Sequence, residues 1–246
     1  NIVGTFNLLE AFRIYWTKSG RPHDWRFLHV STDEVFGNLE KDSKPFDELT
    51  PYDPKSPYSA SKAASDHLVR AWQNTFGLPT LITNCSNNYG PYQFPEKLIP
   101  LTITNILKNK KIPLYGDGTN IRDWLHVEDH CKALDLILLE ADPGETFCIG
   151  GNNEVKNSDL VHKICKLVDQ FALELNWDLN LKSSSQLINY VDDRSGHDKR
   201  YAIDASKILN KLGWQPSINL DDGLSLTVRW YLENQEWWEP LIKNDY

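Results

Sequence analysis

Short apolar runs alternate with helix-length amphipathic segments through the first 150 residues, and that alternation is the strongest constraint on the fold. The run RFLHVS at residues 26–31 suits a buried strand, and residues 79–83, 112–115 and 146–149 read the same way. Helical spacing of apolar residues covers the opening segment (Ile2, Val3, Phe6, Leu9, Phe12) and residues 59–76, where Gly77 supplies a C-cap. Residues 98–108 and 127–140 are also helical in pattern. A strand–helix–strand rhythm needs crossover helices, so the chain reads as α/β with a parallel sheet. Beyond residue 150 the pattern loosens to helices at 157–171, 204–212 and 221–234, with one strand at 187–191.

Composition removes several function classes. With 40% hydrophobic and 24% charged residues, the 246-residue chain is neither disordered nor of low complexity. No apolar run reaches the ~18–20 residues of a membrane span, and no signal-peptide pattern opens it. A formal net charge of −8 argues against a nucleic-acid partner but not against a nucleotide ligand, which a few local basic side chains can hold. Cys85, Cys131, Cys148 and Cys165 are widely spaced and form no C-x-x-C pair, so neither a zinc site nor a disulfide framework is expected. No metal is called for, and a reducing, cytoplasmic setting is the simplest reading. The acidic, Trp-rich tail (Trp230, Trp237, Trp238) reads as packing.

Two motifs carry chemistry. In PYSASKAASDH, residues 57–67, Tyr58 and Lys62 stand at i and i+4 near a helix start and share one face. An ammonium beside a phenol favours phenolate, and such a tyrosine can take a proton from a sugar hydroxyl while a nicotinamide accepts hydride. Alone, the spacing also suits a solvated helix start. Upstream, STDEVFG (residues 31–37) follows directly on the first strand. Polar groups just beyond the carboxyl end of a parallel strand are where open α/β sheets bind ligands. Asp33 and Glu34 could then divide acid and base roles if their surroundings separate their pKa values; the bland alternative is a capping Asp beside a solvated Glu.

Together these motifs resemble the extended short-chain dehydrogenase/reductases, and most specifically the dTDP-glucose 4,6-dehydratases. The resemblance continues through TNCSNNYGPYQFPEKLIPL (83–101), GDGTNIRDWLHVEDH (116–130), IGGNNEVKN (149–157), DDRSGHDKRYAID (192–204) and LGWQPSINLDDGL (212–224), and is weakest at 173–185. It implies a Rossmann-like doubly wound parallel sheet with a smaller C-terminal substrate-binding lobe. Residues 1–150 would be the remainder of the NAD-binding domain with the catalytic residues. Residues 151–246 would be mainly the nucleotide-sugar lobe, the two interleaving.

The resemblance also implies a reaction on dTDP-glucose: oxidation at C4, loss of water across C5–C6, and return of hydride to C6. Tyr58 would be the base at C4, Lys62 would hold the phenolate and the nicotinamide ribose, and Thr32 would bind the C4 oxygen. Glu34 would remove the C5 proton and Asp33 would protonate the departing hydroxyl. Asn88 would neighbour the nicotinamide, and Asn87 the sugar phosphate. Lys97 and Leu98 would line the nucleotide site, with Pro113, Leu114 and Tyr115 beside the base. Arg122, Asn157 and the run Asp193, Arg194, Ser195, Gly196 and His197 would contact diphosphate and ribose. Taken singly, Asn157 could be a helix N-cap and Arg122 could pair with Asp123 or Asp117. The intact family members imply a homodimer, with helices at residues 1–15 and 59–76 as candidate contacts.

Departures are few. The family's N-terminal G-x-x-G-x-x-G loop, which grips the cofactor pyrophosphate, has no counterpart here. The opening NIVGTFNLLEA resembles the family about 100 residues into its chain, so further N-terminal residues are expected in the intact product. Ser195 stands where Pro is common and Phe36 where Tyr is usual. The Asn84-Cys85-Ser86 sequon falls among site residues and reads as chance. Sugar-nucleotide epimerases and decarboxylases share Tyr58 and Lys62, but the Asp33–Glu34 pair favours a dehydratase. UDP-glucose 4,6-dehydratase stays open as the alternative, since the identity of the base rests on a few side chains near Lys97 and Tyr115. A non-catalytic nucleotide-sugar-binding protein would have no reason to keep Thr32, Asp33, Glu34, Tyr58 and Lys62 together.

Overall fold

The computed structural model describes residues 1–179, 181–194 and 196–243. Eight helices and eight strands run α1 (Ile2–Lys18), β1 (Phe27–Thr32), α2 (Pro57–Phe76), β2 (Thr80–Cys85), β3 (Asn87–Tyr89), α3 (Leu98–Leu107), β4 (Ile112–Tyr115), β5 (Ile121–His126), α4 (Val127–Glu140), β6 (Thr146–Ile149), β7 (Glu154–Lys156), α5 (Asn157–Glu174), β8 (Ile188–Val191), α6 (Ser206–Leu212), α7 (Leu220–Glu233) and α8 (Gln235–Lys243) among the described residues. The α/β class with parallel pairing is as the alternation requires.

β1, β2 and β6 form one parallel sheet with β2 central, and Thr32 lies opposite Cys85 at its carboxyl edge. β2 is buried along nearly its whole length because both faces are covered. On one face, Leu9 and Trp16 of α1 and Val69 of α2 meet Leu78 and Ile82. On the other, Ala133 and Ile137 of α4 and Ile208 of α6 meet Leu81, Phe147 and Ile149. Each fully buried Leu or Ile contributes roughly 1.5–3 kcal/mol over exposure. β1 is the edge of this sheet, with Val30 40% exposed.

A second core joins α3, α5 and α7 to β4 and β5 through Ile103, Ile164, Val228 and Trp238. There β5 pairs with β3 in parallel and with β7 antiparallel, while β4 pairs with β8 in parallel. Strands from beyond residue 150 therefore complete sheets begun before it. Trp238 is fully buried and its indole donates to the Tyr231 carbonyl, so this part of the tail packs. No helix among the described residues is long and apolar enough to cross a membrane.

α2 is the element that positions chemistry. Ser56 and Ser59 form a reciprocal capping box, Pro57 occupies the first turn, and Gly77 closes the helix in the left-handed region at φ +68°. A 3-10 turn at Asp33–Phe36 follows β1 directly and ends at Gly37, φ +86°. A Cβ at Gly37 would collide with the Asp53 carbonyl, so the turn requires glycine there.

Candidate active site

β1 delivers Thr32, and the 3-10 turn delivers Asp33 and Glu34, all at the carboxyl edge of the parallel sheet. The Thr32 hydroxyl donates to Asp33 Oδ1 and accepts from the Glu34 amide, both at 3.3 Å. Asp33 is only 2% exposed, and its Oδ2 is buried without a hydrogen-bond partner. Burial, then the charges of Glu34 and Asp123, push its pKa up to about 8 against the pull of Arg122. Burial raises Glu34 too, again opposed by Arg122. Asp33 therefore holds a proton at neutral pH, and the solvated-Glu alternative does not describe this pair.

The first turns of α2 face the same edge. Tyr58 is 50% exposed, and its pKa is raised by burial and then by Glu34, Cys85 and Asp33. This corrects the expectation that Lys62 depresses it. The Lys62 ammonium donates to the Val30 carbonyl at 2.7 Å, and the charges that dominate around the phenol are carboxylates. A shared helix face was legible; which acceptor captures the lysine was not.

Behind Tyr58, β3 carries Asn87 and Asn88. Asn88 Oδ1 accepts from His130 Nδ1–H at 2.7 Å, which sets the ring tautomer, and its Nδ2 donates to the Ser86 carbonyl. Burial lowers the His130 pKa to about 4, so the ring is neutral at pH 7 and fixes the Asn88 amide. Asn87 Oδ1 is buried and unpartnered. These groups fit a nicotinamide riboside: a half-exposed phenol, an ammonium and an oriented amide all bordering one sheet edge.

The remaining expected residues divide. Leu114 is buried in the second core, leaving its backbone for any ligand, while Pro113 and Tyr115 flank it on β4. Tyr115 lies beneath Arg194, 4.8 Å from guanidinium carbon to ring centroid, and edge-on to His197. Asp193 Oδ1 hydrogen-bonds His197 Nδ1 at 2.6 Å, and His197 Nε2 meets Arg194 at 3.0 Å. Gly196 turns this run at φ +70°; Ser195 lies outside the described residues. Gly116, Val191 and Asp193 line an open cleft of about 620 Å³ beside it. Lys97 is exposed and pairs with Glu96, and Leu98 packs against the second core.

Arg122 and Asn157 resolve their own alternatives. Arg122 is buried over the Tyr201 ring and donates to the carbonyls of Ile121 and Asp198, not to Asp123 or Asp117. Asp123 instead accepts from the Gly151 and Asn153 amides, and Asp117 from Thr119. The N-cap of α5 is Lys156, and Asn157 Oδ1 is buried with no hydrogen-bond partner. Sequence reasoning missed Asp66, Asp123 and His130. All three sat inside quoted motifs, Asp123 only as a possible partner of Arg122, and Asp66 continues the Tyr58, Lys62 spacing by one more turn.

Known proteins match the chain over nearly its whole length. The GDP-mannose 4,6 dehydratase family profile matches residues 1–227. The chain is 54% identical over 248 residues to the dTDP-glucose 4,6-dehydratase of Neisseria meningitidis serogroup B, spanning 100% of this chain and 69% of that one. A crystal structure of the Bacillus anthracis dTDP-glucose 4,6-dehydratase in complex with NAD superposes with TM-score 0.82 at 47% identity, over 98% of this chain and 70% of that one. The Streptomyces venezuelae enzyme DesIV, a dTDP-glucose 4,6-dehydratase solved with NAD and TYD bound, gives TM-score 0.83 at 45% identity over 98% and 68%. With the carboxylate pair, the Tyr–Lys helix face and this similarity along the whole sequence, the chain belongs to the dTDP-glucose 4,6-dehydratase family.

Proposed function

We propose that this chain carries out NAD-dependent dehydration of dTDP-glucose to dTDP-4-keto-6-deoxyglucose, with Thr32, Asp33, Glu34, Tyr58 and Lys62 as its chemical groups. The observation that carries the reading is Asp33: a buried carboxyl with one unpartnered oxygen, pushed up to about 8, next to a second carboxylate. An epimerase has no use for such an acid, whereas expulsion of a C6 hydroxyl as water needs one.

NAD, when held by Tyr58, Lys62 and Asn88, would supply hydride chemistry, taking up the C4 hydrogen with its electron pair and giving it back at C6. Tyr58 would take the proton of the C4 hydroxyl as phenolate, a form that the neighbouring carboxylates oppose and that the positive nicotinamide ring of bound NAD would favour. Thr32 would donate a hydrogen bond to the oxygen that becomes the ketone. The ketone acidifies the neighbouring C5–H, whose proton passes to Glu34. The C5–C6 double bond forms as the C6–O bond breaks, and Asp33 gives its proton to the departing hydroxide. Glu34 then returns its proton to C5 as C6 is reduced. The cycle closes when the proton held by Tyr58 replaces the one Asp33 gave up. Lys62 would orient the ribose beside Tyr58, and Asn88, fixed by His130, would orient the nicotinamide amide.

We assign the nucleotide end to the cleft beside Tyr115, with Pro113 and Leu114 flanking the base and Lys97 and Leu98 opposite. Asn87, Arg122, Asn157 and the Asp193, Arg194, Gly196 and His197 run would contact diphosphate and ribose. The partition at residue 150 into a cofactor part and a sugar-nucleotide part is proposed on the same basis. A cytoplasmic homodimer is also proposed, supported by four free cysteines and by exposed Ile2, Val3, Phe6 and Tyr15 on α1. The deciding experiment is turnover of dTDP-glucose by the NAD-loaded enzyme, with UDP-glucose in parallel. Formation of the 4-keto-6-deoxy product from dTDP-glucose at the higher kcat/KM is expected; epimerised product, or no product, would overturn the reading.

A further inference from the structure

Tyr58 and Lys62 are followed at the same spacing by Asp66, so the three line one stripe of α2. The stripe is turned toward β1. Lys62 Nζ donates to the Val30 carbonyl, and Asp66 Oδ1 meets His29 Nε2 at 3.0 Å. Asp66 Oδ2 accepts from the Tyr52 hydroxyl at 2.8 Å and from Asn84 Nδ2 at 3.3 Å. The same Asn84 amide donates to the Thr32 carbonyl at 3.2 Å. One carboxylate thus ties the catalytic helix to the strand that ends in Thr32, and through Asn84 to the residue that starts the Asp33–Glu34 turn.

Asp66 is 0% exposed. Burial alone would drive its pKa up, but hydrogen bonds from His29 and Tyr52 outweigh it and hold the group below the ordinary carboxylate range. A buried charge is retained where its partners are numerous and fixed, and breaking one contact then disturbs the others. The Tyr58 and Lys62 side of the site comes from a helix, the Thr32, Asp33 and Glu34 side from a strand and turn. No covalent connection sets their mutual register, and a displacement of about 1 Å between reacting groups can cost on the order of a hundredfold in rate.

We propose that Asp66 is the positioning residue that sets the Tyr58–Lys62 face of α2 against the Thr32–Glu34 turn, with Asn84 as its arm to Thr32. The assignment rests on the dehydratase reading for its kinetic consequence, though not for its structural one.

The test is Asp66→Asn in the NAD-loaded enzyme. Its amide oxygen still accepts from Tyr52 and Asn84, and its amino group faces His29 Nε2, which can accept in the other tautomer. The fold should survive while the charge goes. Expected are a kcat loss of about 10- to 100-fold on dTDP-glucose with KM within about twofold, and an equal slowing of the first, oxidising step. Hydrogen exchange at the Glu34 amide, which donates to Thr32 Oγ1, should also quicken. A folded variant with kcat within about twofold of wild type, or a loss confined to KM, would overturn the proposal. Asn84→Ala removes the amide that bridges Asp66 Oδ2 and the Thr32 carbonyl while leaving the His29 and Tyr52 contacts of Asp66, and should lower kcat in the same way; wild-type kcat there overturns the proposal even if Asp66→Asn does not fold. If wild type itself fails on dTDP-glucose, the dehydratase reading falls instead. Unchanged Glu34 exchange in Asp66→Asn would then still refute the positioning role.

Discussion

Two aspartates with opposite titration mark the two ends of the site. Asp33, closed between the end of β1 and Arg122, is raised to about 8, chiefly by burial. Asp193, in the exposed run beside Tyr115, is held below the usual carboxylate range, chiefly by its hydrogen bond from His197. The first end excludes water so that a carboxyl can keep and then give a proton. The second keeps its charges wet and paired, which suits recognition of a diphosphate but not proton transfer. Burial separates the roles more than residue type does, and each prediction below strains one end while leaving the other in place.

The largest effect is expected at the dry end. Tyr58→Phe removes the proposed base for C4 while changing packing little, and should lower turnover by on the order of a thousandfold. It should also abolish solvent deuterium uptake at C5, since that proton is acidic only beside a ketone. Mass spectrometry in D2O reads the exchange, and near-normal uptake would reassign the base. Asp33→Asn comes next. It should slow water loss by about 100-fold while leaving C4 oxidation largely intact, so the reduced-nicotinamide absorbance builds up on adding dTDP-glucose.

The same substitution makes a stability prediction of opposite sign. A carboxyl whose folded pKa is raised costs stability progressively as pH climbs from its unfolded value, 3.8, to its folded one, about 8. Asp33→Asn should therefore raise Tm at pH 7 and leave it little changed near pH 3.5, as calorimetry at the two pH values would show. A uniform shift at both would mean that charge burial is not the source.

At the wet end the effect should be smaller and sensitive to salt. Arg194→Ala removes the cation over Tyr115 and beside His197. It should raise KM about tenfold with kcat nearly kept, and the difference should shrink near 1 M salt, where screening acts within about 3 Å. The same salt should not change the Asp33→Asn deficit. The smallest effect expected is Glu34→Gln on Tyr58. Removing a neighbouring charge that raises the phenol should move its ionisation downward, measurable by ultraviolet difference titration.

The dry end was largely legible because its residues sit within contiguous motifs attached to regular elements. β1, α2 and β6 follow continuous apolar or helical patterns, and Thr32, Asp33 and Glu34 fall where an open sheet binds ligands. The desolvation of Asp33 was not legible, since Asp123 and Arg122 belong to β5. That strand, IRDWLH, buries Arg122, Asp123 and His126, so its polar residues hide it from any apolar pattern. β3 and β7 have three residues each, too few for a period to register. α8 contains Pro240, which argues against a helix in sequence although the structure keeps one. The lysine beside Tyr58 was misjudged because i, i+4 spacing fixes a face and not a partner; the Val30 carbonyl lies 32 residues away.

The central claim is that Asp33 is a protonated acid at working pH. Isotope-edited infrared spectroscopy on carbon-13-labelled aspartate, with Asp33→Asn as the reference, reads that proton directly. The account predicts a carboxylic-acid carbonyl band at pH 7 that is absent from the variant and titrates away with a midpoint near 8. An Asp33 signal already fully carboxylate at pH 6 would contradict it.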